Sequence, residues 1–106
     1  MTFTKLELEY LAAQLLGRLA TLAPDGYPQN SPVGFFVDAE RGTIDIGGMA
    51  MGTSRKFASV RQHPKVSFVV DDIASVQPWR VRGIEIRGDA EALTAPPHGS
   101  SRTVKR

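Results

Sequence analysis

The long β-type segment from Trp79 to Leu93 constrains the fold of this chain more than any other stretch. Its apolar residues keep to even positions from Ile84 onward, whereas Val81 falls on an odd one. Such a change of parity around Gly83 is typical of a β-bulge, which bends a strand and increases its twist. A strand this long and this bent does not fit a flat sheet, and it therefore predicts a small barrel.

Periodicity and turn signals predict four further strands and two helices. Thr4 and Glu7 form a capping box at the start of a helix over residues 5–16, and Gly17 is expected to end that helix in the left-handed conformation. Pro24-Asp25-Gly26 predicts a hairpin turn in which the glycine has positive φ. A short second helix is expected from Ser54 to Gln62, between the third and fourth strands. The five strands are expected over residues 18–23, 27–37, 43–46, 66–72 and 79–93.

Length and composition indicate one globular domain. The chain has 106 residues, of which 42% are hydrophobic and 23% charged, which suits a single core. No run approaches the ~18 apolar residues of a membrane span, and the first residues lack the pattern of a signal peptide. Cysteine is absent, which excludes disulfides and thiolate metal sites and fits a reducing compartment. We therefore expect a cytoplasmic protein that does not bind membranes.

The positive charge of the chain is concentrated at its C-terminal end. Residues 94–106 contain three basic and no acidic side chains, whereas residues 1–93 contain ten basic and eleven acidic ones. The body of the protein therefore lacks the basic surface of a nucleic-acid-binding barrel, and no nucleic-acid partner is expected. The proline and serine in the last segment predict that residues 94–106 form a disordered basic tail after a single domain at residues 1–93.

Side chains that could catalyse a reaction by themselves are scarce. The sequence has no nucleophile elbow and no pair of histidines at metal-ligand spacing. His63 is interpreted as structural, at the end of the second helix. Asp71 and Asp72 have no third hard ligand nearby, so they are interpreted as a solvated strand end. We predict neither a catalytic residue nor a metal site.

The segment from Gly52 to Lys56 is a candidate anion site. Arg55 and Lys56 lie in the first turn of the second helix, where two cations oppose the helix dipole at a cost of up to ~1 kcal/mol. A phosphate bound at that turn would reverse the sign of the effect, with Ser54 and free amides as further donors. An exposed helix that begins with basic residues explains the same pattern, and these residues alone leave both interpretations open.

Two further segments could contact a ligand. Trp79 opens the fifth predicted strand beside Arg80 and Arg82, where it either covers a planar ligand or a partner subunit or lies half-buried in the core. The segment from Gln29 to Val33 places polar groups and a proline inside a strand. These residues either bind the edge of a heterocycle or protect an open sheet edge from aggregation.

Short segments distributed over residues 4–93 together carry a resemblance to a known family. They are Gly17–Thr21, Pro24–Gly26, Pro28–Phe35, Ser54–Phe57, Val60–Arg61, Pro64–Val66, Val70–Asp72, Pro78–Gly83 and Ile86–Gly88. In this order and spacing they resemble the split-barrel pyridoxamine 5′-phosphate oxidase-like family, most closely its branch that uses the deazaflavin coenzyme F420. No single segment is specific, but the ordered set is.

The resemblance implies an α+β protein, mainly β with short helices, that forms a homodimeric split β-barrel of the FMN-binding type. It implies a cofactor, F420 or alternatively FMN, in each cleft between subunits, with hydride transfer to or from a small unsaturated or conjugated substrate. Ser54, Arg55 and Lys56 are implied to hold the cofactor phosphate. The residues implied to line the ring are Asn30, Ser31, Pro32, Val33, Ile46, Gly47, Gly48 and Trp79.

The chain departs from the family's pattern after the fifth predicted strand. Members usually continue with a strand that helps to close the barrel, whereas Pro96–Arg106 has no alternating apolar run. We therefore expect the last strand of the family to be missing. A non-catalytic cofactor-binding protein thus remains an alternative to an F420-dependent reductase and to an FMN-dependent flavoprotein.

Overall fold

The computed structural model describes residues 3–47, 55–93 and 101–105. Within these ranges no helix has the length and apolarity to span a membrane. The described chain contains two helices and seven strands. They are α1 (Lys5–Ala12), β1 (Gly17–Leu22), β2 (Pro28–Val33), β3 (Phe36–Asp38), β4 (Thr43–Gly47), α2 (Arg55–Gln62), β5 (Lys65–Val76), β6 (Trp79–Leu93) and β7 (Ser101–Lys105).

The strands form one antiparallel sheet in the order β2-β1-β5-β6-β7-β4-β3. In a flat sheet of this width the two outer strands would be ~29 Å apart, at ~4.8 Å per strand. Only Gly34 and Phe35 connect Val33 at the end of β2 to Phe36 at the start of β3, and that connection reaches only ~10 Å. The sheet must therefore curl until its edges meet, and the predicted split barrel is confirmed.

Phe68, on β5, is the largest side chain of the core that is fully buried. The ring of Phe35, from the connection between β2 and β3, packs edge-on against it with 5.3 Å between the ring centroids. Gly17 also lies against Phe68, so close that a side-chain carbon there would overlap the ring. The aliphatic core surrounds this group of three. It consists of Leu11, Leu19, Val33, Ile44, Ile46, Val60, Val66, Val70, Ile86 and Ala90.

Helix α1 packs onto the core through Leu11, which is buried. Its predicted capping box is confirmed, since the Thr4 hydroxyl accepts a hydrogen bond from the Glu7 amide and the Glu7 carboxylate accepts one from the Thr4 amide. The predicted end at residue 16 is wrong, because α1 ends at Ala12 and Leu15 is exposed. Gly17 does not end the helix either: it begins β1, where contact with Phe68 leaves no room for a side chain.

Glycine supplies positive φ at two turns of the described chain. Gly26 has φ of 90° in the turn between β1 and β2, as predicted, and Gly42 has φ of 70° in the turn before β4. At other residues such angles are sterically costly.

The predicted bulge at Gly83 is wrong. Gly83 pairs in regular register with Asp71, and the register shift lies on the neighbouring strand, between Ile73 and Ser75. The change of parity in the sequence has a different cause: Val81 is exposed and does not belong to the inward-facing set. Gly83 is small because a side-chain carbon would lie 2.9 Å from the carbonyl oxygen of Val70.

Two predictions about strand number are also wrong. The single strand expected over residues 27–37 is divided into β2 and β3, which lie at opposite ends of the sheet order. The last strand is not missing, because Ser101–Lys105 forms β7 and pairs with both β4 and β6. The barrel therefore extends beyond residue 93, and the tail prediction fails for these five residues. Residues 94–100 and 106 lie outside the described residues.

Candidate functional site

Strand β2 presents polar groups along an edge of the described sheet. It pairs with β1 through the partners Asn30↔Ala20 and Pro32↔Arg18, and the sheet order gives it no strand on its other side. Asn30 and Pro32 are exposed, Ser31 is half-buried, and Val33 is in the core. The prolines of this strand, expected at an open edge or at a bulge, lie at an open edge. Backbone groups and short polar side chains are thus available there to the edge of a planar ligand.

Gln29, at the start of this segment, links α2 to the sheet through a side-chain hydrogen bond. Its amide oxygen accepts a hydrogen bond of 3.1 Å from the Ser59 hydroxyl and one of 3.4 Å from the Thr21 hydroxyl. Both hydroxyls belong to buried residues, where an unpaired polar group would be costly. The sequence pattern included Gln29 among the polar residues of the edge strand but did not reveal that it connects β1, β2 and α2.

The start of α2 is therefore held near the polar edge strand. Ser59 lies one helical turn after Arg55, with which the helix begins, and α2 contacts β1 and β6. The first turn of the helix contains Arg55 and Lys56 and no acidic residue, so the positive end of the helix dipole and two cationic residues coincide. This arrangement suits an anionic group. Ser54 and Gly48 lie outside the described residues.

Ile46 and Gly47 end β4 and lead toward α2. The side chain of Ile46 is fully buried in the core, so it does not face a surface ligand, and Gly47 pairs with Ser101 of β7. A contact from this part of the site to a cofactor ring would therefore come from the backbone. The predicted role of these residues stays a prediction.

Trp79 does not lie with the other predicted residues. It begins β6 opposite Val76, at the far end of the β5–β6 hairpin, and 64% of its surface is exposed. Pro32 lies in the row of Arg18 and Val69, and at ~3.3 Å per residue that row is roughly 20 Å along β5 from Val76. Within one chain, Trp79 and the polar edge of β2 are thus at different ends of the sheet.

A groove of about 550 Å³ crosses the outer face of the sheet beside the start of β2. Its walls carry both signs of charge, since they include Lys65, Arg87 and Asp89. Lys65 Nζ lies 3.7 Å from Asp89 Oδ1, and Arg87 Nε lies 3.0 Å from Oε1 of Glu85, two residues earlier on β6. These residues were not among the predicted site residues. The sequence does contain a signal for four of them. Polar residues occupy odd positions on two strands whose even positions are mainly apolar, and this alternation marks the odd positions as facing outward. The four are Lys65, Ser67, Arg87 and Asp89. The residues that line the groove include Ala20, Leu22, Pro28, Lys65, Ser67, Arg87 and Asp89.

A second polar cluster joins α1 to the β5–β6 hairpin. The Tyr10 hydroxyl donates to Asp72 Oδ1 at 2.7 Å, and Arg82 donates to both carboxylate oxygens of Asp72 at 2.8 and 2.9 Å. The Arg82 guanidinium also lies 5.2 Å from the centroid of the Tyr10 ring. The interpretation of Asp72 as a solvated strand end is wrong, because β5 continues to Val76 and Arg82 pairs directly opposite.

The cluster has a fixed protonation state at neutral pH. Desolvation, followed by the hydrogen bond to Asp72, raises the pKa of Tyr10 to about 12. The hydrogen bonds from Arg82 and then from Tyr10 lower the pKa of Asp72. Tyr10 therefore stays protonated and Asp72 stays ionised, so the cluster stabilises the position of α1 and does not exchange protons.

The lowered pKa of Asp72 predicts a pH-dependent contribution to stability. A carboxylate whose pKa is lower in the folded state stabilises the fold above its ordinary pKa of ~3.9 and loses this effect as pH falls through its folded pKa. We expect Asp72→Asn to unfold at a lower urea concentration than the natural protein at pH 7. The difference should shrink below about pH 4. Urea denaturation at several pH values measures it, with Asp89→Asn at an exposed ion pair as control. A difference independent of pH would contradict the prediction.

The fold and the site define the class of protein. The sequence profile of pyridoxamine 5′-phosphate oxidase matches residues 3–103, a range that includes β7 for all but its last two residues. The chain belongs to this family, whose members are oxidoreductases, and the predicted resemblance is confirmed.

The chain is also similar to individual proteins. The chain is 52% identical over 93 residues to a 5a,11a-dehydrotetracycline/5a,11a-dehydrooxytetracycline reductase of Streptomyces rimosus, covering 88% of this chain and 66% of the relative. A conserved hypothetical protein of Mycobacterium tuberculosis has a similar structure, with a TM-score of 0.71, 27% identity and coverage of 92% and 57% of the two chains. A FAD-binding protein of Mesorhizobium loti gives a TM-score of 0.65, 28% identity and coverage of 92% and 64%. The chain thus spans between 57% and 66% of the length of these relatives.

Proposed function

We propose that this protein is an F420-dependent reductase that transfers a hydride between the bound deazaflavin and a conjugated, polycyclic substrate. The observation that carries the proposal is the 52% identity to a reductase whose named substrates are 5a,11a-dehydrotetracyclines. A carbon–carbon double bond conjugated within a ring system is the kind of group that accepts a hydride. The cofactor supplies the hydride chemistry, which agrees with the lack of catalytic side-chain motifs in the sequence.

The chain's own residues bind and orient the cofactor. Arg55 and Lys56, at the positive end of α2, pair with its phosphate. Gln29 holds α2 against the sheet through Ser59, so that the phosphate site keeps a fixed distance from the edge of β2. Along that edge Asn30 and Ser31 offer hydrogen bonds to the heteroatoms of the ring. This donor set fits an anionic, planar cofactor.

FMN is the second candidate cofactor. The similarity to a FAD-binding protein favours a flavin, and FMN shares with F420 a phosphate and a tricyclic ring. A cofactor-binding protein without turnover remains the third candidate. For each of them we propose a cytoplasmic homodimer that binds a small-molecule substrate, because the chain has no cysteine and leaves apolar sheet surface exposed.

Titration of the purified protein with F420 and, separately, with FMN tests the proposal. Equilibrium dialysis measures the binding, because Trp79, the only tryptophan, lies far from the edge of β2 within one chain and its fluorescence would not have to change. We expect micromolar or tighter binding of F420, and oxidation of reduced F420 when a dehydrotetracycline is added. Binding of FMN alone would select the flavoprotein, and binding of F420 without turnover would select the non-catalytic protein. Failure to bind either cofactor would contradict all three.

A further inference from the structure

The groove on the outer face of the sheet begins at the polar edge of β2. Asn30 on β2 pairs with Ala20 on β1, which pairs with Ser67 on β5. Ser67 pairs in turn with Arg87 on β6. Side chains alternate between the two faces along a strand, and the core holds the chain neighbours of these residues, among them Leu19, Phe68 and Ile86. The row therefore lies on the outer face, and the groove, which its last three members line, continues from Asn30 across three strands.

The two sides of the groove differ in chemical character. Ala20, Leu22 and Pro28 form an apolar side on β1 and β2, whereas Lys65 and Arg87 form a cationic side on β5 and β6. A sheet face that is covered only by water is usually polar throughout, so an apolar side next to a cationic one suits an amphipathic molecule. The volume of about 550 Å³ lies within the range of sites for small organic ligands, ~300–1,000 Å³.

Lys65 and Arg87 are available to such a molecule. Their side chains are 90% and 81% exposed, and each pairs with one exposed carboxylate, that of Asp89 or of Glu85. Exposed ion pairs add little to stability, so either cation can turn toward a ligand at small cost. The arginine has five N–H donors in one plane, enough to bind anionic oxygens in addition to its carboxylate. The groove therefore favours a ligand with ionised oxygens along one edge.

We propose that this groove is the substrate site of the reductase and that Arg87 selects conjugated polycyclic substrates with ionised enol oxygens. This inference rests on the proposed function, which puts the cofactor ring beside Asn30. A polycyclic molecule in the groove packs against Ala20 and Leu22, directs its oxygens to Arg87 and ends beside the cofactor ring. Arg87 is three strands from Asn30, roughly 14 Å, so it binds and orients the substrate and does not touch the bond that accepts the hydride.

Equilibrium dialysis with tetracycline tests the site without turnover. Tetracycline carries ionised enol oxygens on a fused ring system and lacks the 5a,11a double bond, so it reports binding alone. We expect the natural protein to bind it with or without F420. Arg87→Gln should bind it at least ~10-fold more weakly, because a hydrogen bond between charged groups is lost. Ser67→Phe places a ring in the middle of the groove and should abolish binding.

Arg41→Gln is the matched control. Arg41 pairs with Asp38 in the turn before β4, away from the groove, and its variant should bind tetracycline as the natural protein does. None of the three substitutions replaces a residue of the core, so the Tm should stay unchanged in each. Equal affinity of Arg87→Gln and the natural protein, or no binding of tetracycline with and without F420, would overturn the proposal.

Steady-state kinetics with reduced F420 and a dehydrotetracycline separate this inference from the proposed function. Arg87→Gln should raise the KM for the dehydrotetracycline at least ~10-fold and leave kcat and the Kd of F420 almost unchanged, because only uniform substrate binding is lost. Turnover with an unchanged KM would refute the substrate site and leave the proposed function intact. Tetracycline binding that depends on Arg87, in a protein that binds neither F420 nor FMN, would refute the proposed function alone.

Discussion

Gly17→Ala is expected to destabilise the protein strongly, although it adds a single methyl group. That methyl group would overlap the ring of Phe68, which is fully buried and also packs against Phe35. Overpacking of this kind costs ~1–3 kcal/mol, and we expect the upper end because the ring has no free space to move into. For a domain of this size the corresponding fall in Tm is about 10–20 °C.

Gly34→Ala provides the matched control for this experiment. It makes the same chemical change at a glycine that has no atom within 4 Å of the added carbon and no positive φ. Replacement of glycine by alanine at such a position changes stability by less than ~1 kcal/mol, and in the favourable direction. Thermal unfolding followed by circular dichroism compares the two variants. Equal Tm values would show that Phe68 can move and that the core is less tightly packed than described.

The double variant Arg55→Ala/Lys56→Ala is expected to abolish cofactor binding while the fold is kept. Hydrogen bonds to charged groups contribute ~1.5–3 kcal/mol each, so the loss of two partners of a phosphate should raise the Kd at least ~100-fold. Removal of the two cations also relieves their repulsion with the helix dipole. The Tm without cofactor should therefore stay unchanged or rise.

Arg61→Ala/Lys65→Ala removes one arginine and one lysine at the other end of α2, Arg61 from its last turn and Lys65 from the start of β5, and this variant should bind F420 normally. Comparison of the cofactor affinities of the two double variants distinguishes a local phosphate site from a general effect of positive charge. High salt gives a second check, because exposed ion pairs weaken as ionic strength rises. Normal binding by Arg55→Ala/Lys56→Ala would show that the phosphate lies elsewhere and that the basic residues at the start of α2 are an ordinary solvated helix end.

The elements with strong local signals could be predicted from the sequence. The capping box of α1, the turn at Gly26 and the strand from Trp79 to Leu93 depend on residues that are close in the chain. The division of the second predicted strand at Gly34 could not be predicted, since only the closure of the barrel separates β2 from β3. Strand β7 has few apolar residues, and it forms through pairing with β4 and β6, which are distant in sequence.

The individual segments of the candidate site could be predicted from the sequence, but their arrangement in space could not. Polar residues at the edge of β2 and basic residues at the start of α2 were apparent from composition and spacing. The bond from Ser59 to Gln29 joins residues thirty positions apart, and no local pattern marks it. Trp79 was grouped with the edge strand on the basis of the resemblance alone. The register of the strands shows that a single chain separates them.

The position of β7 has a consequence for the order in which the protein can fold during synthesis. Without β7 the sheet consists of two unconnected pieces, the four strands β2-β1-β5-β6 and the pair β4-β3. Strand β7 lies between β6 and β4 and occupies residues 101–105. The two pieces therefore cannot be joined through β6 and β4 until the ribosome has released that segment. The nascent chain therefore has an unpaired edge on β4 from an early stage and a second one on β6 just before β7 is made, and while these edges are exposed chaperone binding would compete with aggregation.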